Sequence, residues 1–151
     1  MSTVLLQENA LTPAGSDNST IAVPVTVNVV AGKAWFQEVK TEDYVIMQEG
    51  ISLIGSGGTP REFRLTFTLS PEAEIEGYRF ANPALKFFQG GSKKAGFRVP
   101  PDAAGTSAML STFNLLDMHD KAVEDEFVVL LTSPKGLIVH DPTILWEPPK
   151  G

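Results

Sequence analysis

The sequence has no cysteine, which excludes thiol nucleophiles, thiolate metal sites and disulfide staples. Basic charge is scarce as well. Twelve Lys and Arg stand against eighteen Asp and Glu, a net charge of −6, whereas a protein that grips a nucleic-acid backbone needs a basic face to displace counterions. Nucleic acid is therefore not an expected partner. The basic doublet Lys93-Lys94 lies in a glycine-rich loop and reads as a solvated charge run. No apolar run approaches the roughly 18 residues of a spanning helix, so no membrane insertion is expected. Met1 to Thr12 has neither a basic nor an apolar region of secretory type, and with cysteine absent a cytoplasmic protein is expected. The motifs of the common hydrolases are missing too. There is no Gly-x-Ser-x-Gly elbow and no His-Glu-x-x-His, and the Gly55-Ser56-Gly57-Gly58 cluster lacks the Lys-Ser or Lys-Thr of a phosphate loop.

What is present is alternation. At 151 residues, 42% hydrophobic and 20% charged, the chain is the size of one domain that can bury a core without cross-links. Residues 1–20 read as a loosely held arm in which Val4-Leu5-Leu6 has apolar surface to bury, and residues 21–149 as a single domain. Val23, Val25, Val27 and Val29 fall on one face of a strand from Ile21 to Val30, with Pro24 expected at its start or on an edge. Phe63, Leu65, Phe67 and Leu69 do the same over Glu62 to Leu69, ended by Pro71. Shorter strands are expected over Tyr44–Met47, Ile51–Ile54, Ile75–Phe80, Ala84–Phe88 and Ala95–Val99, the last closed by Pro100-Pro101. Ser107 to Asp117 fits either a helical stripe or a strand, and its Ser, Thr and Asn content favours strand. Near the end, Phe127-Val128-Val129-Leu130-Leu131 suits a strand covered on both faces. Ser133-Pro134-Lys135-Gly136 then turns the chain back into Leu137-Ile138-Val139-His140. Short strands punctuated by Gly and Pro predict an all-β fold, an immunoglobulin-like antiparallel β-sandwich held by apolar burial alone.

The hairpin leads into Asp141-Pro142-Thr143-Ile144-Leu145-Trp146-Glu147-Pro148. A residue before proline is pushed towards extended geometry, so this run predicts a final strand with a kink or bulge at Pro142 and with Ile144 and Trp146 on one face. Asp141-Pro142 followed by Glu147-Pro148 resembles the pair of dipeptides that names the DP-EP family of small bacterial proteins. The resemblance covers those four residues. It implies a β-sandwich and a bacterial source, and it implies no activity.

Three functional classes are open to such a chain. A non-catalytic interaction module would pair with a protein partner or self-associate through a strand. A carbohydrate-binding module would use exposed aromatics such as Trp146, Tyr44 or Tyr78, and the candidate binding residues of the final run are Asp141, Trp146 and Glu147. A hydrolase would need the carboxylates and the two histidines, His119 and His140, to converge with perturbed pKa values. Each histidine is followed by an aspartate, but neighbouring strand residues point to opposite faces, so neither pair makes a ready metal clip. Among the acids, Asp117, Asp120 and Asp125 form the candidate metal set, suited to Ca²⁺ because that ion takes six to eight oxygens in flexible geometry. No other cofactor is indicated. The expectation is an interaction module.

Overall fold

In the computed structural model the alternating segments are strands, and residues 20–56, 61–87, 97–103 and 105–149 are described, 97–103 by backbone alone. The strands are β1 (Ile21–Val30), β2 (Lys33–Phe36), β3 (Val39–Lys40), β4 (Tyr44–Met47), β5 (Gly50–Ile54), β6 (Arg61–Leu69), β7 (Arg79–Phe87), β8 (Phe97–Ala103), β9 (Ser107–Asn114), β10 (Val123–Ser133), β11 (Gly136–His140) and β12 (Thr143–Glu147), with one helix, α1 (Pro71–Ile75). The arm up to Ser19, the glycine loop from Gly57 and the stretch holding Lys93-Lys94 lie outside the described residues.

Two sheets pack face to face. One runs β2-β1-β6-β9-β8, and the other runs β11-β10-β12-β5-β4-β3 with β7 also on β10. The apolar parities meet between them: Val25, Val27, Phe36, Phe63, Leu65 and Phe67 from the first sheet, Leu53, Phe127, Val129, Leu131, Ile144 and Trp146 from the second. Aromatic edges knit the layer, Phe67 lying 5.9 Å from Phe36 and 6.3 Å from Phe127 between ring centroids. The protein is an all-β sandwich.

Four details differ from the sequence-based expectation. The sheets are mixed rather than antiparallel, because β1 runs parallel to β6 and β5 parallel to β12. The region after Leu69 opens as a helical turn. The Ser70 hydroxyl accepts from the Ala73 amide at 3.2 Å, Pro71 occupies the first turn, and the following strand starts at Arg79 rather than Ile75. β7 then continues through the cis Asn82–Pro83 bond as one strand. It tolerates the proline because Pro83 falls in the irregularity between the Leu85 and Phe80 pairs, where no register partner on β10 needs its N–H. Last, no bulge marks Pro142. β10 pairs with β11 through Val129↔His140 and with β12 through Glu126↔Thr143, the same register on both sides of Asp141-Pro142. Pro142 simply cannot donate, while its carbonyl accepts from Phe127 N at 3.1 Å. Residues 136 to 147 are therefore one strand along β10.

Ser107–Asn114 is strand, which settles the ambiguous stretch. Pro24 lies where β1 has β6 on one side and no β2 partner on the other, β2 reaching only Val27 to Val30.

Candidate functional site

Trp146 and Ile144 share the inner parity of β12, and both are fully buried. The indole Nε1 donates to Thr112 Oγ1 at 3.2 Å, a bond from the second sheet to the first. Trp146 is therefore a core residue and is corrected as a ligand platform, because a fully buried ring has no face for a sugar to stack on. Tyr44 and Tyr78 pack against the same core, partly buried.

Glu147 contributes through its main chain. Its carbonyl accepts from Gly55 N at 2.9 Å and from Asn114 Nδ2 at 2.9 Å. Asn114, fully buried at the end of β9, also donates to Leu53 O and accepts from Leu116 N through its side-chain oxygen, each at 2.9 Å. This clamp ties β9 of one sheet to β5 and β12 of the other. Nothing in the sequence marks Asn114 for it beyond a polar residue at the end of an apolar parity. Asp141 is exposed beside the break in the ladder.

The candidate metal set does not assemble. Asp117 Oδ1 accepts from His119 N at 2.8 Å and Asp120 Oδ2 accepts from Asp117 N at 2.9 Å, so both carboxylates serve their own loop. Asp125 is in β10, not in that loop, and points along the inner parity. Its Oδ2 is buried with no hydrogen-bond partner, and burial pushes its pKa above the usual 3.8. Among the described residues no group of three or more His, Asp or Glu side chains is placed to hold a metal ion. The oxygens are spent locally or separated by strand geometry.

The histidines are also apart. His119 is exposed in the loop before Val123, whereas His140 stands opposite Val129. Six strand residues separate those levels, about 20 Å at ~3.3 Å per residue. His140 is buried where β11 meets β2, edge-on to Phe36 at 4.8 Å. Burial lowers its pKa below 6.5, opposed by Glu49, by its hydrogen bond to the Gln48 main chain and by Asp141, and aided by Lys33. Its Nε2 has no partner. An acid–base pair of histidines cannot form here.

Among the described residues, two open clefts lie at the sandwich margins. One, about 460 Å³, holds Arg61 with Asp43 at 2.7 Å, its guanidinium also bonding the Ile54 carbonyl at 3.0 Å. The other, about 370 Å³, runs along β3 and β4 beside Val39, Val45 and Met47. Neither gathers a catalytic set.

The surface that stands out is the outer face of the β10–β11 hairpin. Leu130 is cross-strand from Val139, and Thr132 from Leu137. Leu137 and Val139 are 61% and 55% exposed. Val128, two residues along on the same face, is buried yet lies outside the core cluster. The sequence carried the signal: apolar residues on both parities of β10 and β11 imply cover on both faces, yet on the outer face Val128 is buried and Leu130 half-buried while Leu137 and Val139 on β11 are open. Pro134 and Lys135 make the turn, with the Ser133 hydroxyl accepting from Lys135 N at 3.1 Å and donating to the Gly136 carbonyl at 3.1 Å.

No protein-family model matches the chain, and no curated protein matches it either. Function therefore rests on the geometry.

Proposed function

We propose that this protein is a non-catalytic β-sandwich interaction module that meets a protein partner through the outer face of the β10–β11 hairpin. The observation that carries the reading is that Leu137 and Val139, both more than half exposed, lie on one face of β11 with Val139 directly opposite Leu130 of β10. Surface leucines scattered singly need no explanation, but a contiguous apolar stripe on a strand pair marks contact with another molecule. The hydrolase alternative lacks a converged acid–base set among the described residues, and the carbohydrate alternative loses Trp146 to the core. Membership of the DP-EP family belongs to the same proposal, supported by Asp141-Pro142 and Glu147-Pro148 and by the sandwich that the resemblance implies. So does a cytoplasmic setting, supported by the lack of cysteine. Among the described residues no helix is long and apolar enough to cross a membrane.

A photo-crosslinking residue placed at Leu137, with Glu72 on exposed α1 as control, tests the reading in cells of the source organism. Discrete adducts from position 137 and none from position 72 are expected. Absence of an adduct at 137, or equal labelling from both positions, overturns the proposal.

A further inference from the structure

His140 stands at an edge of the sandwich that no ladder closes. β2 is the outermost strand of the first sheet and pairs with β1, and β11 pairs with β10, so among the described residues no ladder joins β2 to β11. The seam carries a main-chain bond and a ring pair instead. Phe36 N donates to the Gln48 carbonyl at 3.0 Å, which ties β2 to the turn between β4 and β5, and the fully buried Phe36 ring meets the His140 ring edge-on at 4.8 Å. His140 also bonds to the Gln48 main chain, and that bond favours the charged ring, as a carbonyl acceptor does. The imidazole and the Phe36 amide thus converge on one residue.

His140 is 7% exposed, and its Nε2 is buried without a hydrogen-bond partner. With the other ring nitrogen donating to Gln48, Nε2 of the neutral ring is an acceptor, and a proton there makes it a charged donor with nothing to receive it. Holding a charge away from water and leaving a donor unmet both cost free energy. The charges around the ring do not remove that cost. Glu49 from the β4–β5 turn and Asp141 from the chain beside it favour the cation, Lys33 from β2 opposes it, and β10 presents Val129, which does not titrate. All three charged residues are exposed and screened by solvent. Burial is the largest effect and holds the ring below its usual 6.5.

We infer that His140 is a proton-operated latch on the seam between β2 and β11: uptake of a proton at Nε2 frees the β2 edge, with Phe36, from β11 while the rest of the sandwich stays folded. The open seam returns the ring to water, where the cation is solvated, so the closed form is disfavoured as pH falls through 6.5. Opening also uncovers Phe36, and the molecule shows more apolar surface in acid. The latch goes beyond the interaction-module reading and does not rest on it.

Amide hydrogen exchange of the full chain, resolved by residue and corrected for the pH dependence of the exchange chemistry itself, is the test. At pH 7.5 the Phe36 amide is expected to be less protected than those of Leu65 and Phe67 in the middle of β6, because the seam opens without global unfolding. From pH 7.5 to pH 5.5 its protection should fall several-fold, with about tenfold as the ceiling that one group of ordinary pKa 6.5 allows. In His140→Phe and in His140→Gln, neither of which titrates, the fall should vanish, and two variants keep the test open if one folds poorly. A Phe36 amide as protected as those of β6 means that the seam opens only with the whole fold and overturns the latch. Protection at Phe36 that does not change with pH overturns it as well. A fall of equal size in the variants assigns the effect to another group and removes His140.

Discussion

The Asn114 side chain is fully buried and makes three hydrogen bonds. Its amide nitrogen serves the Leu53 and Glu147 carbonyls, and its oxygen serves Leu116 N. Replacing it by alanine removes the partner of the Leu116 amide and a donor to the Leu53 carbonyl, while the Glu147 carbonyl keeps its bond from Gly55 N. Each unsatisfied buried group costs about 1–3 kcal/mol, partly relieved by relaxation and water, so Asn114→Ala should cost about 3 kcal/mol. Urea unfolding checks this through the midpoint, with an unchanged slope. A loss below about 0.5 kcal/mol, the size of an ordinary surface change, would show the clamp to be dispensable. His140 makes a pH-dependent contribution of known sign. Its folded pKa is depressed below 6.5, so the unfolded chain binds more protons as pH falls through 6.5 and stability drops there. His140→Phe removes that decline while keeping a ring against Phe36. Unfolding midpoints that fall equally from pH 7.5 to pH 5.5 in both proteins would assign the decline to other groups.

At the scale of elements, the hairpin that presents the apolar stripe depends on one backbone angle. Gly136 has φ +127°, and a side chain added there would meet nothing within 4 Å. The cost of Gly136→Ala is thus backbone strain alone, about 1–2 kcal/mol, visible as a lowered midpoint without loss of the fold. A midpoint equal to wild type would mean that the turn relaxes to another form. Elements were also the level at which the sequence was most readable. Glu62 to Leu69 alternates without exception and is β6 within one residue, because one face is core and the other wet. The terminal hairpin was legible from Pro134 and Gly136 for the same kind of local reason. The helix after Leu69 was missed because five residues hold no apolar period, and its signal is confined to Ser70 as cap and Pro71 in the first turn. The parallel pairs of β1 with β6 and β5 with β12 were beyond reach, since strand neighbours are chosen by contacts far apart in sequence. The candidate site was half legible. Period two put Ile144 and Trp146 on one face but could not say that this face is the inner one. Asp117, Asp120 and Asp125 were close in sequence, yet the first two bond within a loop and the third belongs to a strand.

The whole molecule joins these scales through the final strand. Residues 136 to 147 keep one register along β10, so their inner parity, ending in Trp146, closes the core while their outer parity carries Leu137 and Val139 to solvent. The dipeptides at its breaks are structural: Pro142 omits one ladder bond and the Glu147 carbonyl completes the Asn114 clamp. The contact surface we propose lies elsewhere, on the hairpin's back. Methyl chemical shifts of the labelled protein, recorded alone and in an extract of the source cells, test that assignment most directly. The Leu137, Val139 and Leu130 methyls are expected to move or broaden together in the extract, while Met47 and Met109, at 49% and 44% exposure on β4 and β9, stay fixed. Methyls of Met47 or Met109 that move while those of Leu137 and Val139 remain still would place the contact on another face and contradict the account.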